Sequence, residues 1–139
     1  MIAPKLQIWN ICFLITNLEN IYFGNIDTSK VVSLKYFITN CTKLTSVDIS
    51  NLVTSNVKNM FAMFYLSSSL KYINFGDIVT SSVTDMQSMF NKCSSLESID
   101  LCKFDTSKVK TMKFMFYGCS SLTTIDLSKF DTSKVKDMY

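Results

Sequence analysis

Residues 96–121 read LESIDLCKFDTSKVKTMKFMFYGCSS, and residues 122–138 repeat the first part of that string as LTTIDLSKFDTSKVKDM. The pattern extends through most of the chain, because a leucine recurs every 26 residues at Leu18, Leu44, Leu70, Leu96 and Leu122. A fixed period of this length is typical of proteins that stack one structural unit on another. We therefore divide residues 18–139 into five repeats: 18–43, 44–69, 70–95, 96–121 and an incomplete 122–139.

Positions within a repeat are counted from its leading leucine, which is position 0. Apolar residues at positions 3 and 5 flank a polar one, and this alternation predicts a strand with one buried face. Position 8 is also apolar in every repeat, and Thr-Ser then occupies positions 10 and 11. Apolar residues follow at positions 13, 16, 19, 20 and 23, and steps of three and four predict a short helix. The Thr-Ser pair is its expected N-cap, and Asp85 and Asp137 at position 15 would lie in the first turn.

The predicted fold is an α/β solenoid: a leucine-rich-repeat-like, right-handed stack with a parallel β-sheet on one face and short helices on the other. The segment Ile8–Ile15, IWNICFLI, has apolar residues where the second half of a repeat has them. We therefore interpret residues 1–17 as a degenerate N-terminal half-repeat or cap; the alternative is the remnant of a signal peptide. No run of 18 apolar residues is present, so the sequence predicts no transmembrane segment.

Composition excludes several classes of function. The net charge is +3, hydrophobic residues make up 47% of the chain, and His and Arg are absent. Without them the chain lacks the usual general base, the commonest transition-metal ligand and the forked donor that reads phosphates and guanine. With three glycines and uninterrupted repeats, we expect a protein that is not an enzyme, with no catalytic residues, no cofactor, no metal site and no nucleic-acid partner.

Two repeated polar positions have a structural and a functional interpretation. Position 23 carries Cys41, Cys93 and Cys119, with Ser67 in the remaining complete repeat. We expect a row of small buried side chains there, although a disulfide between neighbours such as Cys93 and Cys119 is geometrically possible. The Thr-Ser pair is either a phosphorylation or binding motif or a structural element that bonds along the stack.

The strings MFYGCSSL (115–122) and SSLTTIDLSKFDTSKVKDM (120–138) resemble the 26-residue repeat of BspA-like leucine-rich-repeat surface proteins and lipoproteins. The usual repeat asparagine is replaced here by Ile, Leu or Phe at position 8. The resemblance implies export or surface anchoring and a role in adhesion. The 139 residues show no export signal, lipobox or anchor motif, and they end within a repeat. We therefore expect a piece of a longer protein located at the cell surface or secreted.

The predicted binding site is the open face of the sheet. Positions 2 and 4 point away from the core, and repeat proteins use such extended faces for binding. We call this set of side chains the strand surface: Asn20, Tyr22, Ser46, Asp48, Tyr72, Asn74, Ser98, Asp100, Thr124 and Asp126. Tyrosine offers apolar area with a hydrogen-bonding tip, as interface anchors often do.

Asp100 and Asp126 should lie on adjacent repeats, about 5 Å apart. They are solvated carboxylates offset by Lys103 and Lys129, ligands of a shared calcium ion, or the carboxyl pair of a glycosidase. Lysines align at positions 12 and 14, either as a solvated face or as a contact for an acidic partner. The aromatic residues Phe61, Tyr65, Phe114 and Tyr117 either pack on a neighbouring repeat or form a partner site.

We thus expect a binding or adhesion module that contacts a protein, or a surface glycan, through the strand surface. The alternatives are spacer repeats of a longer surface protein and an intracellular scaffold for protein interactions. The C-terminal repeat leaves Val135 and Met138 uncovered, which predicts self-association there, because repeat arrays need polar caps.

Overall fold

The computed structural model describes Leu18–Met138; the predicted half-repeat over residues 1–17, including Ile8–Ile15, lies outside these residues. Strand β1 spans Ser46–Asp48 and strand β2 spans Tyr72–Asn74. They are parallel, and Val47 pairs with Ile73, so partners are one repeat apart. Within the described residues, strand geometry is confined to these two segments, so the sheet is smaller than predicted. The backbone bond toward the next repeat, from Glu97 N to Lys71 O, is long at 3.4 Å.

A second set of backbone contacts joins the repeats on the opposite side. Isolated parallel bridges occur at position 15 of successive repeats and link Ser33, Asn59, Asp85, Thr111 and Asp137. Beyond each bridge, alternate backbone N–H groups donate to carbonyl oxygens of the following repeat. Examples are Met60 N to Asp85 O, Ala62 N to Gln87 O and Phe64 N to Met89 O, each at 2.9 Å. The repeats are therefore held in register on both sides of the core.

The predicted short helices are wrong: none is present among residues 18–138. In an α-helix each N–H bonds to the carbonyl four residues earlier, whereas here alternate N–H groups bond to the next repeat. Positive φ angles recur at positions 18 and 22, for example at Ala62 (52°) and Leu66 (61°), and they interrupt any right-handed helix. Each of these residues lies within a tight turn, as Ala62 does in the turn closed by Met63 N and Met60 O at 3.3 Å. Consecutive turns place an apolar residue inward every third residue, which imitates a helical stripe.

The core consists of rows of identical positions. Phe64 and Phe90 stack with centroids 5.5 Å apart and planes 7° apart, and Phe90 stacks on Phe116 at 5.4 Å and 11°. Methionines at positions 16 and 19, such as Met86 and Met89, are fully buried beside this stack. The flexible thioether chains of methionine fill the irregular space around flat rings and make favourable sulfur–aromatic contacts.

The threonine of the Thr-Ser pair has one of the two structural roles considered for it: it bonds along the stack and does not cap a helix. Thr80 Oγ1 donates to Asp105 O at 2.9 Å and accepts from Asp105 N at 2.8 Å, one repeat further on. Thr106 forms the same two bonds with Asp131. The threonine hydroxyl therefore bonds along the stack, and the predicted N-cap is wrong because no helix follows it.

Position 23 carries a small hydrogen-bond donor in the second, third and fourth repeats. Cys93 Sγ donates to Phe64 O and Cys119 Sγ donates to Phe90 O, each at 3.1 Å, whereas Ser67 Oγ donates to the equivalent Ile38 O at 2.7 Å. Serine and cysteine interchange here because both are small and both donate. Cys93 and Cys119 are free thiols, so the considered bridge between them is absent, whereas Cys41 is disulfide-bonded.

The stack opens into an apolar cavity at its C-terminal end. The cavity has a volume of about 480 Å³ and is lined mainly by Met112, Met115, Phe116, Leu127, Phe130 and Met138. Leu127 is 40% exposed, whereas its counterpart one repeat earlier, Leu101, is 3% exposed. The last repeat therefore leaves apolar surface that the inner repeats cover.

Candidate binding surface

All ten side chains of the strand surface are exposed, as the alternation of positions 2 to 4 predicts. Tyr22 is 93% exposed and Tyr72 is 51% exposed. On β1 and β2 the residues between them, Val47 and Ile73, face the core. The pairing of β1 with β2 places Ser46 beside Tyr72 and Asp48 beside Asn74. The surface is thus a polar strip that carries two tyrosines.

The Asp and Asn side chains at position 4 close turns, a role that the sequence interpretation missed. Asp48 Oδ1 accepts from Ser50 N, Asp100 Oδ1 from Cys102 N and Asp126 Oδ1 from Ser128 N, each at 2.9 Å. Asn74 forms the same turn with Gly76 N at 3.1 Å. Asp and Asn side chains commonly bond the backbone N–H two residues later. An Asp or Asn placed two residues before Ser, Gly or Cys is therefore the sequence signal that could have revealed this role.

These hydrogen bonds affect the ionisation of the carboxyl groups. The bonds from Ser50 lower the pKa of Asp48, and those from Cys102 and Ser128 lower the pKa values of Asp100 and Asp126. A hydrogen bond donated to a carboxylate favours its charged form. The row is therefore acidic at neutral pH, and one oxygen of each carboxylate is already used within the fold.

Asp100 and Asp126 line one small cavity of about 70 Å³ together with Cys102 and Lys129. A glycosidase needs one carboxyl with a raised pKa as its general acid, but both pKa values are lowered here. Within Leu18–Met138, no group of three or more His, Cys, Asp or Glu side chains converges to hold a metal ion. Calcium binding by this pair therefore gains no third carboxylate ligand from the described residues.

Two lysines near the strip are paired with acidic residues one repeat away. Lys71 Nζ lies 3.3 Å from Glu97 Oε1, and Lys103 Nζ contacts Asp77 Oδ1. The charges of Lys103 and Lys129 help to lower the pKa of Asp100, in line with the offset expected from the sequence, while the ion-pair partner of Lys103 is Asp77. Ion pairs this exposed contribute little stability.

Glu97 is a further surface residue that the sequence interpretation missed. Tyr72 Oη donates to Glu97 Oε2 at 2.8 Å, which raises the pKa of Tyr72, and the bonds from Tyr72 and then Lys71 lower the pKa of Glu97. The contact fixes the orientation of the Tyr72 ring on the strip. Glu97 stands at position 1, which has no repeated character, so no periodic signal marks it.

The aromatic residues of the opposite side divide into two pairs. Phe61 packs edge-on against Tyr36 of the preceding repeat at 5.2 Å, with Lys35 Nζ 4.9 Å from the Phe61 centroid. This is the predicted packing between repeats. Phe114 and Tyr117 instead contact each other within one repeat at 5.9 Å, and they are 37% and 61% exposed. Only the second pair therefore leaves much of its area open to solvent.

The architecture defines a protein of stacked 26-residue repeats with an exposed polar strip. Residues 7–74 and 68–139 each match the family described as "Mycoplasma protein of unknown function, DUF285", and the chain belongs to this family. No curated protein sequence matches the chain. Among solved structures, it is similar to the leucine-rich repeat protein of T. pallidum, at 24% identity and a TM-score of 0.46. That similarity covers 66% of this chain and 39% of the T. pallidum chain.

Proposed function

We propose that this chain is a non-enzymatic repeat module that binds another protein through the strand surface. The observation that supports this function is a contrast between two sets of positions. Position 0 is leucine in every repeat, whereas position 4 reads Tyr, Asp, Asn, Asp, Asp, and all five of these residues are exposed. Stacked repeats keep their inward residues constant and vary the outward ones to suit a partner.

The arrangement of the tyrosines supports the same proposal. Tyr22 is almost fully exposed, and Tyr72 is oriented by its bond to Glu97. A rigid aromatic side chain contributes contact area at a low cost in conformational entropy. The neighbouring carboxylates, such as Asp100 and Asp126, favour a partner that presents basic or hydrogen-bond-donating groups.

On the BspA-like resemblance, we extend this proposal to adhesion at the cell surface by an exported protein that contains these repeats. The alternatives are contact with a surface glycan, spacer repeats that extend another binding domain, and an intracellular scaffold.

Residues 18–138 contain no helical segment that could span a membrane. Protease treatment of intact cells that produce the natural protein tests the location: digestion supports surface exposure, and full protection contradicts it.

The binding proposal is tested with a variant that preserves the fold. Tyr22→Ala and Tyr72→Ala remove the exposed rings. Asp100→Asn and Asp126→Asn remove the charge but keep a side-chain oxygen that can close each turn, as the amide oxygen of Asn74 does. A panel of purified matrix and cell-surface proteins is then screened with the wild-type chain and this variant. We expect at least one partner whose binding is lost in the variant.

A matched control carries Tyr65→Ala and Phe61→Ala on the opposite side. Partners that bind the strand surface should retain their affinity for this control. Spacer repeats would give no partner in the panel, and a partner lost only in the control variant would place the binding site on the wrong side of the stack for this proposal.

A further inference from the structure

Charge is unevenly distributed around each repeat. Of the fourteen lysines, nine lie at positions 12 to 22, where Asp85 and Asp137 are the acidic residues. The other nine acidic residues lie at positions 0 to 9, on the side of the strand surface. Because the repeats stack in register, one side of the stack is acidic and the other is basic. The net charge of +3 is small because the charges of the two sides largely cancel in the sum.

The basic charge is densest on the last two repeats. We define the lysine surface as Lys108, Lys110, Lys134 and Lys136, which occupy positions 12 and 14 of those repeats and are all exposed. Lys136 N donates to Lys110 O at 3.0 Å, so the two residues occupy equivalent places on adjacent repeats. Adjacent strands lie about 4.8 Å apart, and the lysines therefore form two short rows along the stack.

The four lysines form no ion pair within Leu18–Met138, although Asp105 and Asp131 are near enough to Lys108 and Lys134 for the lysine charges to help lower the pKa of each carboxyl. The two ion pairs among the described residues, Lys71–Glu97 and Lys103–Asp77, both lie on the acidic side. Two unit charges about 5 Å apart in water repel by about 1 kcal/mol. An anion bound between the rows would relieve this repulsion and gain attraction to several lysines at once.

Exposed aromatic rings lie further along the fourth repeat, on the same side of the stack as the lysine surface. Lys113 follows Lys110 by three residues, and its Nζ lies 5.1 Å from the centroid of the Phe114 ring. Phe114 in turn contacts Tyr117, whose ring is the more exposed of the two. The lysine surface and this apolar platform therefore belong to the same end of the stack.

We propose that the lysine surface, with Phe114 and Tyr117, binds a linear acidic polysaccharide. One sugar ring is about as long as the spacing between adjacent repeats, so a polymer with a carboxylate on each sugar would meet one lysine per repeat. The apolar face of a sugar packs on an aromatic ring, and the carboxylates pair with the ammonium groups. This binding is separate from the strand surface and does not depend on the proposed protein partner.

Two other polyanions fit this surface less well. Duplex DNA binding favours arginine for forked phosphate contacts, and arginine is absent from the chain. A membrane surface would contact the whole basic side, but the lysines concentrate in two rows on two repeats. Both polyanions are therefore outcomes of the test below.

The experiment measures binding of the full chain to polygalacturonate, with neutral dextran as the blank. One variant carries Lys108→Gln, Lys110→Gln, Lys134→Gln and Lys136→Gln. The matched control carries four substitutions of equal charge elsewhere on the surface: Lys43→Gln, Lys71→Gln, Lys103→Gln and Lys129→Gln. We expect the first variant to weaken binding by about tenfold or more and the control by much less, because local charge determines the contact.

A second pair of variants tests the aromatic platform. Tyr117→Ala should weaken binding to polygalacturonate and leave binding to poly-glutamate, which has no sugar rings, unchanged. Tyr22→Ala, which removes a still more exposed tyrosine on the strand surface, should change neither. The proposal is overturned if wild-type protein binds polygalacturonate no better than dextran, or if both lysine variants weaken binding equally. Tighter binding to duplex DNA or to phosphatidylserine vesicles than to polygalacturonate would also overturn it.

Discussion

Thr80 and Asp105, 25 residues apart, are joined by a pair of hydrogen bonds in which one hydroxyl serves both the N–H and the carbonyl of the same residue. Thr80 is buried, with 1% of its surface exposed. The hydroxyl replaces a backbone group at a place where the two chain segments do not pair directly. Side chains of this kind allow repeats to stay in register outside the strands.

This relationship predicts a stability difference between two conservative substitutions. Thr80→Val keeps the shape of the side chain but leaves the Asp105 N–H and carbonyl without their partner, and we expect a loss of about 1–3 kcal/mol in the free energy of unfolding. Thr80→Ser keeps the hydroxyl and should cost about 1 kcal/mol or less. Urea denaturation of both variants measures the difference. Equal stability of wild type and Thr80→Val would contradict the role assigned to the hydroxyl.

Position 23 predicts that serine can replace cysteine. Cys93→Ser retains a donor to Phe64 O, as Ser67 does to Ile38 O. We therefore expect Cys93→Ser to be more stable than Cys93→Ala by about 0.5–1.5 kcal/mol, the contribution of one such bond. Chemical denaturation in the presence of a reductant compares the two. An alanine variant that is as stable as the serine variant would show that the bond contributes nothing.

Stability should decline in acid. The pKa values of Asp48, Asp100 and Asp126 are lowered in the folded protein, so these groups stabilise it above their unfolded pKa of about 3.9, and that contribution is lost as pH falls through the folded values. The urea midpoint should therefore be lower at pH 3 than at pH 6, about one unit below and two units above that reference.

A triple variant isolates this contribution. Replacing the three aspartates with asparagine keeps an oxygen to close each turn but removes the titration. The pH dependence should become shallower in the variant, while other aspartates with lowered pKa values, such as Asp105 and Asp131, retain part of it. An unchanged slope would exclude the position-4 row as a source of the acid sensitivity.

The absence of helix among residues 18–138 predicts the far-ultraviolet circular dichroism of the chain. Residues 18–138 should not contribute the twin minima of α-helix, because their turns bond to neighbouring repeats rather than along a helix. Spectra of the wild-type chain, with a helical protein of similar size as reference, test this. A helical spectrum that disappears on unfolding would restore the helices predicted from the apolar stripe.

The apolar cavity at the C-terminal end predicts self-association of the chain. Leu127 and Met138 are exposed there, and contact with a second molecule would remove apolar area from water. Sedimentation velocity should show a concentration-dependent increase in mass that Leu127→Lys reduces. Val79→Lys, a similarly exposed apolar site on an inner repeat, is the control. A monomer at all concentrations would contradict the prediction.

The leucine period was sufficient to predict the register and most of the core. Val109, Met112 and Met115 are buried as expected, because inward positions must match from one repeat to the next. The local structure was predicted wrongly, since turns every third residue and a helix give similar apolar spacing. Positive φ angles reveal the difference, but Tyr36, Asn40 and Ala62 adopt them without glycine to signal it.

The candidate surface was predictable in outline and not in detail. Alternation along the strand was enough to predict exposure of Tyr22, Asp48 and Tyr72, which the structure bears out. The bond between Tyr72 and Glu97 was not predictable, because it depends on where two side chains reach across neighbouring repeats.

The backbone bonds between successive repeats also determine how the molecule responds to mechanical force. Each coil is tied mainly to the coil before it and the coil after it. A pull on the two ends would therefore peel coils away one at a time, and each release would lengthen the tether by the same step. Such a chain would extend stepwise under tension instead of unfolding in a single event. This property suits a protein that must stay attached under mechanical load.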